Sequence, residues 1–183
     1  QKSGVVYGLD PDNGEILWSN VLSGGGTQGG VHFGMASEGE TVYVPLHDME
    51  QTNDGKIYED LKPGVHSVDA KTGELLWSKI NPNNCGDIKF CDPGVSAALT
   101  AIPGAVIAGH QDGKIRIYDK EDGEILWSFD ALREFESVSG VPASGGGFSG
   151  PGSAIRNGYM AMNSGYGIYY HMPGNALLLF SVD

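Results

Sequence analysis

An aspartate, a glycine four residues later and a tryptophan four residues after that occur three times: Asp10/Gly14/Trp18, Asp69/Gly73/Trp77 and Asp119/Gly123/Trp127. Each triplet lies in a longer shared stretch, clearest over 113–128, and a fourth copy runs from Asn175 to Asp183. Each copy reads as a β-hairpin. An alternating strand (Ile115 and Ile117 on one face) meets a turn and then a second strand ending in Leu-Trp. The aspartate can accept a hydrogen bond from an amide two residues on, and Gly14, Gly73 and Gly123 supply the positive φ that closes the turn. An indole at the same hairpin position in each of the first three copies suits a ring packed between repeats. Burying roughly 150 Å² of it is worth at most ~4 kcal/mol.

Between these hairpins the order of elements repeats. Gly30–Ala36 with Thr41–Leu46, Val95–Ala101 with Ala105–Ala108, and Ser153–Ile155 with Tyr159–Asn163 each form an inner pair joined by a tight Gly turn. The unit is therefore four strands in about 50 to 64 residues, which in an all-β chain means a β-propeller blade. The 29 glycines in 183 residues suit many turns and short strands. The expected layout is one partial propeller over 1–183: outer strands of one blade (1–21), blades at 28–79 and 94–129, and a blade lacking its outer strand at 149–183. Three-odd blades fall short of the ~4 to 8 of a closed ring, so the rest of a larger propeller is expected elsewhere.

Loop length marks one face. The turns within the inner and outer pairs are short, whereas the other two sets of connections are mostly long, and these lie on the opposite face. Long loops on a rigid scaffold concentrate binding chemistry. His47, His110, His171, Asp48, Asp112, Arg133, Glu134 and Glu136 all fall there, with His32 at its entrance on an innermost strand. A net charge of −12 argues against nucleic acid. No apolar run approaches the ~18 residues of a membrane span, and an export signal would lie outside this chain.

The hairpin pattern resembles the repeat of pyrroloquinoline quinone (PQQ) dehydrogenases, whose propellers carry tryptophan-docking motifs. Residues 130–141, Gly145-Gly146, 149–152, Asn163–Gly167 and Pro173–Leu178 resemble the C-terminal portion of polyvinyl alcohol dehydrogenase-like proteins, and Gly29–Ala36 fits that group loosely. The resemblance implies a periplasmic quinoprotein that oxidises polymeric or small secondary alcohols by hydride transfer to PQQ. It implies calcium as Lewis acid and electrons passing to a cytochrome c or haem c domain. His32, Arg133 and Ser139 become the candidates for cofactor binding, and Asp48, Glu134 and Glu136 for the base that removes the hydroxyl proton.

The chain departs from that pattern in places. Val138-Ser139-Gly140 stands where the family commonly has Val-Asn-Gly, and there is no Cys-x-x-Cys-His haem attachment, no adjacent Cys-Cys pair and no Trp-Asp segment. The chain alone is expected to be inactive. Asp10–Gly14 looks like the start of an EF-hand loop, but Val21 occupies the position of the required Glu, and no metal ligands are assigned. Cys85 and Cys91, inside one long loop, are expected to form a disulfide rather than remain free thiols. PQQ-type repeats also build non-catalytic propellers that bind proteins, and that reading stands as the alternative.

Overall fold

The structure is a computed structural model that describes residues 1–49, 59–167 and 169–182. Strands β1 (Val5–Leu9) and β2 (Ile16–Val21) pair as a hairpin. A four-stranded antiparallel sheet follows: β3 (Ala36–Glu38), β4 (Thr41–Leu46), β5 (Gly64–Asp69) and β6 (Leu75–Ile80), in that order. After β7 (Ser96–Ala97) comes a second such sheet, of β8 (Thr100–Ile102), β9 (Ala105–Gly109), β10 (Lys114–Asp119) and β11 (Ile125–Asp130). A short pair, β12 (Glu134–Phe135) and β13 (Ala143–Ser144), is followed by β14 (Ser149–Gly150) and a three-stranded sheet of β15 (Ala154–Arg156), β16 (Tyr159–Ser164) and β17 (Ala176–Ser181). All regular elements among the described residues are strands, arranged as consecutive propeller blades.

Middle strands carry the core because both of their faces are covered by neighbouring blades. In β4, Tyr43, Val44 and Leu46 are fully buried, and β5 contributes Val65 and Val68. The apolar side chains form three clusters between successive sheets: around Val6 and Leu46, around Tyr43, Trp77 and Tyr118, and around Ile107, Phe148 and Met162. Outer strands β2 and β11 are mostly exposed, as edges of a blade should be.

The hairpin turns follow the expected chemistry. Asp10 Oδ1 accepts from the amide of Asp12 at 2.8 Å, Asp69 Oδ1 from Lys71 at 2.8 Å and Asp119 Oδ1 from Glu121 at 2.7 Å. Gly14, Gly73 and Gly123 have φ of 77°, 73° and 71°. The tryptophans do not all behave alike. Trp18 donates its indole N–H to the Ala70 carbonyl at 3.0 Å and Trp77 to that of Lys120 at 2.9 Å, so each docks on the hairpin turn of the next blade. Trp127 packs against Phe129 and Phe180 but is 37% exposed, and its indole N–H has no partner among the described residues, because the next such turn is not one of them.

Two features were not anticipated. Strand β3 starts at Ala36 rather than near Val31, which makes only an isolated bridge to Leu46. Positive φ at Gly30 and Phe33 turns the chain out of the ladder. The innermost segments of successive repeats also bond sideways. Strands β7 and β14 pair in parallel, the Ala98 amide donates to the Gly150 carbonyl at 2.9 Å, and that of Leu99 to Gly34 at 3.0 Å. Small residues permit this approach: a Cβ on Gly152 would lie 2.5 Å from the Ala98 carbonyl oxygen.

Candidate functional site

The five histidines separate into two kinds. His110 is fully buried. Its Nδ1 accepts from the Asn81 side-chain amide at 2.7 Å, which fixes the proton on Nε2, where it is donated to the Tyr118 hydroxyl at 3.0 Å. His66 donates from Nε2 to the Lys62 carbonyl at 2.9 Å and accepts from Ser78 Oγ at 2.8 Å. Both rings are satisfied, and both are pushed below the usual imidazole range by burial, His110 also by the Arg116 charge.

His32, His47 and His171 form the other kind. The His32 and His47 rings stack with centroids 4.7 Å apart, and His171 meets His47 edge-on at 5.6 Å. Among the described residues, Nε2 of His32 and both ring nitrogens of His47 and His171 are buried and meet no partner at hydrogen-bond geometry, although the Gln28 backbone lies close enough to His47 to favour its charged form. His32 Nδ1 has only a long contact to Ser96 Oγ at 3.4 Å. Burial holds His32 down to about 4, with Lys2 and His171 adding to it, and His47 down to about 3, with its two neighbouring rings adding. His171 is lowered by burial. All three are neutral imidazoles at pH 7. An unpartnered buried polar group costs about 1–3 kcal/mol, so a ligand or water that met these nitrogens would stabilise the fold.

The topology explains the meeting. His32 precedes the innermost strand of its blade, His47 leaves the end of β4, and His171 lies in the loop between β16 and β17. Asp48, beside His47, is wholly buried, and its two carboxylate oxygens accept from the amides of Gly30 at 2.6 Å and Lys62 at 2.9 Å. It ties three loops together and has its own φ of 41°. Lys2, Gln28, His32, Phe33, Tyr169 and His171 line a depression of about 530 Å³ above the cluster.

Four aromatic residues, of which Phe33 and Tyr169 line this depression, adopt a conformation that bulky side chains avoid. Phe33, Phe90, Tyr169 and Tyr170 have φ of 49°, 63°, 58° and 67°, and are 66%, 43%, 71% and 48% exposed. Such backbone costs on the order of 1–3 kcal/mol per residue and clusters at ligand clamps. Phe90 sits in the loop closed by the Cys85–Cys91 disulfide and packs edge-on against Tyr170, with centroids 5.7 Å apart.

The other sequence-derived candidates lie apart from the histidines. Asp112 makes a two-point ion pair with Arg116, at 2.5 and 3.2 Å, with both side chains nearly buried. Arg133 lies over the rings of Phe129 and Phe135, at 4.7 and 5.1 Å from their centroids. Glu134 borders a second depression of about 510 Å³ with Pro142, Ser144 and Asn175, and Glu136 is exposed. The Ser139 hydroxyl faces that of Ser137 at 2.9 Å. Neither Arg133 nor Ser139 lines the depression at His32. Among the described residues, no group of three or more His, Cys, Asp or Glu side chains is placed to hold a metal ion, and no helix is long and apolar enough to cross a membrane. The sequence reading selected His32, His47, His171 and Asp48, but it passed over the aromatic residues. Their signal was present in His32-Phe33 and Tyr169-Tyr170-His171, where rings adjoin histidines in loops.

Comparison with known proteins gives consistent results. A PQQ-repeat family model described as outer membrane protein assembly factor BamB matches residues 2–155. A polyvinylalcohol dehydrogenase of Pseudomonas sp. is 40% identical over 199 aligned residues, covering 100% of this chain and 30% of that protein. The chain thus spans about a third of that relative. In fold, it is similar to BamB from Moraxella catarrhalis (TM-score 0.57, 16% identity, 91% of this chain and 39% of that one). It is also similar to quinohemoprotein alcohol dehydrogenase ADHIIG from Pseudomonas putida HK5 (TM-score 0.56, 18% identity, 86% of this chain and 25% of that one).

Proposed function

The chain belongs to the PQQ-repeat β-propeller family, and from that premise we propose that it forms part of a periplasmic PQQ-dependent dehydrogenase acting on secondary alcohols, polymeric or small. The observation that carries this reading is the 40% identity, along the whole chain, to a polyvinylalcohol dehydrogenase. The disulfide suits an oxidising compartment.

The depression at His32 suits PQQ in kind. A planar, polyanionic quinone needs flat apolar faces, hydrogen-bond donors and positive charge. Phe33 and Tyr169 offer the first, the unpartnered imidazoles and Gln28 the second, and the Lys2 ammonium the third. When bound, PQQ supplies the quinone that accepts hydride from the carbinol carbon. The hydroxyl proton needs an acceptor in this chain or in the remainder of the propeller. Here the neutral imidazoles of His32 and His171 border the depression, whereas Asp48 already accepts two amides and acts as a positioning residue. Among the described residues no group of three or more His, Cys, Asp or Glu side chains is placed to hold calcium.

The test is reconstitution of the full-length protein with PQQ and excess calcium, followed by absorbance titration and reduction of an artificial acceptor by a secondary alcohol. Saturable binding with turnover supports the dehydrogenase. The second reading, a scaffold that binds other proteins, is favoured by the description of the matching family model, and absence of PQQ binding would count against the first.

A further inference from the structure

We propose that Asn157 is a self-modifying site, at which the Gly158 backbone nitrogen attacks the side-chain amide, so that the turn between β15 and β16 converts with age to aspartate and isoaspartate and loosens the contact between the last two sheets. No part of this depends on cofactor binding or on the alcohol reaction.

Asn-Gly occurs twice in the sequence, at Asn13-Gly14 and at Asn157-Gly158. Glycine is the residue that hinders such an attack least, because no Cβ shields its nitrogen. Both pairs lie in exposed hairpin turns, and the fold separates them. The Gly14 amide donates to the Asp10 carbonyl at 2.8 Å, and Asn13 Oδ1 accepts from the Glu15 amide at 2.8 Å. Both reacting groups of that pair are therefore engaged. At the second pair neither is: among the described residues no acceptor meets the Gly158 amide, and no hydrogen bond holds the Asn157 side chain.

The turn itself explains why the reactive pair is there. Arg156 pairs with Tyr159 across the ladder, which leaves a two-residue loop with φ of 50° at Asn157 and 78° at Gly158. Two positive φ values in succession define the hairpin turn for which Asn-Gly is the preferred dipeptide. Reactivity comes with that choice, since asparagine is among the thermally labile residues. Ile155, Arg156, Asn157, Gly158 and Tyr159 are all exposed, so water reaches the product.

The steps balance with water as the one added reactant. The Gly158 nitrogen bonds to Asn157 Cγ and gives up its proton, the Cγ–Nδ2 bond breaks, and ammonia leaves a five-membered imide. Water then opens the imide at either carbonyl. One opening gives aspartate. The other gives isoaspartate, in which the former side-chain Cβ lies in the main chain, so the turn gains an atom and the Arg156–Tyr159 pair loses its register. The Val182 amide donates to the Gly158 carbonyl at 3.0 Å, and this bond ties the end of β17 to the turn. Gly158, Val182, Phe180 and Trp127 line an apolar groove of about 370 Å³ between the sheet of β8–β11 and that of β15–β17. A longer turn moves one rim of that groove.

The experiment follows both pairs in the full-length protein by peptide mass spectrometry, during incubation at mildly alkaline pH, native and in guanidinium. Two hydrogen bonds must break before Asn13 reacts and none before Asn157, so the native Asn157 should convert about tenfold faster. In guanidinium, where both turns are lost, the two rates should converge. The native rate at Asn157 should rise with pH, because the attacking nitrogen must shed its proton. Asn157→Gly keeps the positive φ and cannot react; aged wild type should melt a few degrees below fresh protein, whereas aged Asn157→Gly should melt as it does when fresh. A native Asn157 that converts no faster than Asn13, or a tenfold difference that persists in guanidinium, would overturn the site. Conversion with an unchanged melting temperature would overturn the loosening of the sheets.

Discussion

The indole of Trp18 covers Gly73, a residue of the next blade's hairpin turn, so closely that a Cβ there would lie 2.3 Å from its Cε3 atom. The same relationship recurs one blade later between Trp77 and Gly123, where the nearest ring atom would be 2.7 Å away. The turn glycine thus has two tasks: it adopts positive φ, and it leaves a flat surface for the ring.

Gly14 separates these tasks, because it has φ of 77° and no atom within 4 Å of a notional Cβ. In this 183-residue chain, Gly14→Ala should cost only the left-handed backbone strain, roughly 1–2 kcal/mol. Gly73→Ala should cost clearly more, because Trp18 must leave its site and its bond to the Ala70 carbonyl. Urea unfolding of the two variants checks this, and equal losses would mean that the indole contributes nothing to blade docking.

Removing the Tyr118 hydroxyl should be expensive for a buried residue. Tyr118→Phe leaves the His110 Nε2–H without its acceptor, a loss of about 1–3 kcal/mol. The amide proton of His110 and its ring shifts by nuclear magnetic resonance would report the altered tautomer.

Stability should fall in mild acid. His32 and His47 titrate at about 4 and about 3 in the folded state against 6.5 unfolded, so between these values the unfolded chain holds more protons. The stabilisation from keeping the rings neutral is complete above 6.5 and is lost as pH falls toward 4 and then 3. Lys2 and His171 oppose protonation of His32, and Asp48 favours it, without reversing the sign. Chemical denaturation between pH 7.5 and 4.5 should show this decline, and His47→Gln should flatten it.

Arg133 can be assigned by one variant. Its guanidinium sits over two rings, an arrangement worth about 0.5–1 kcal/mol at exposed sites. Arg133→Ala should lower stability by about that amount and leave the PQQ titration as in wild type. A tenfold weaker titration would return it to the cofactor site that the sequence resemblance suggested.

The disulfide closes a short loop, and in the chain-entropy picture its removal costs about 2 kcal/mol. Cys85→Ser with Cys91→Ser should lower the melting temperature, and thiol titration of the unfolded, unreduced wild type should find no free sulfhydryl.

The repeat itself was legible in one dimension, because its signals are local. Asp10, Asp69 and Asp119 bond amides two residues on, their glycines four residues later need positive φ, and period-two alternation marks each strand. The two docked indoles followed from the same spacing. The site depended on distances that sequence does not encode. His32, His47 and His171 come from a loop preceding an inner strand and two separate long loops, and only stacking of the blades brings the His47 ring within 6 Å of each of the other two. Likewise Asp112 and His110, which loop position alone placed on the working face, are engaged by Arg116, Asn81 and Tyr118 through contacts that packing decides. Local hydrogen bonds and backbone preference determined the blade, whereas the relative placement of blades, a property of many weak interblade contacts, determined which loop residues meet.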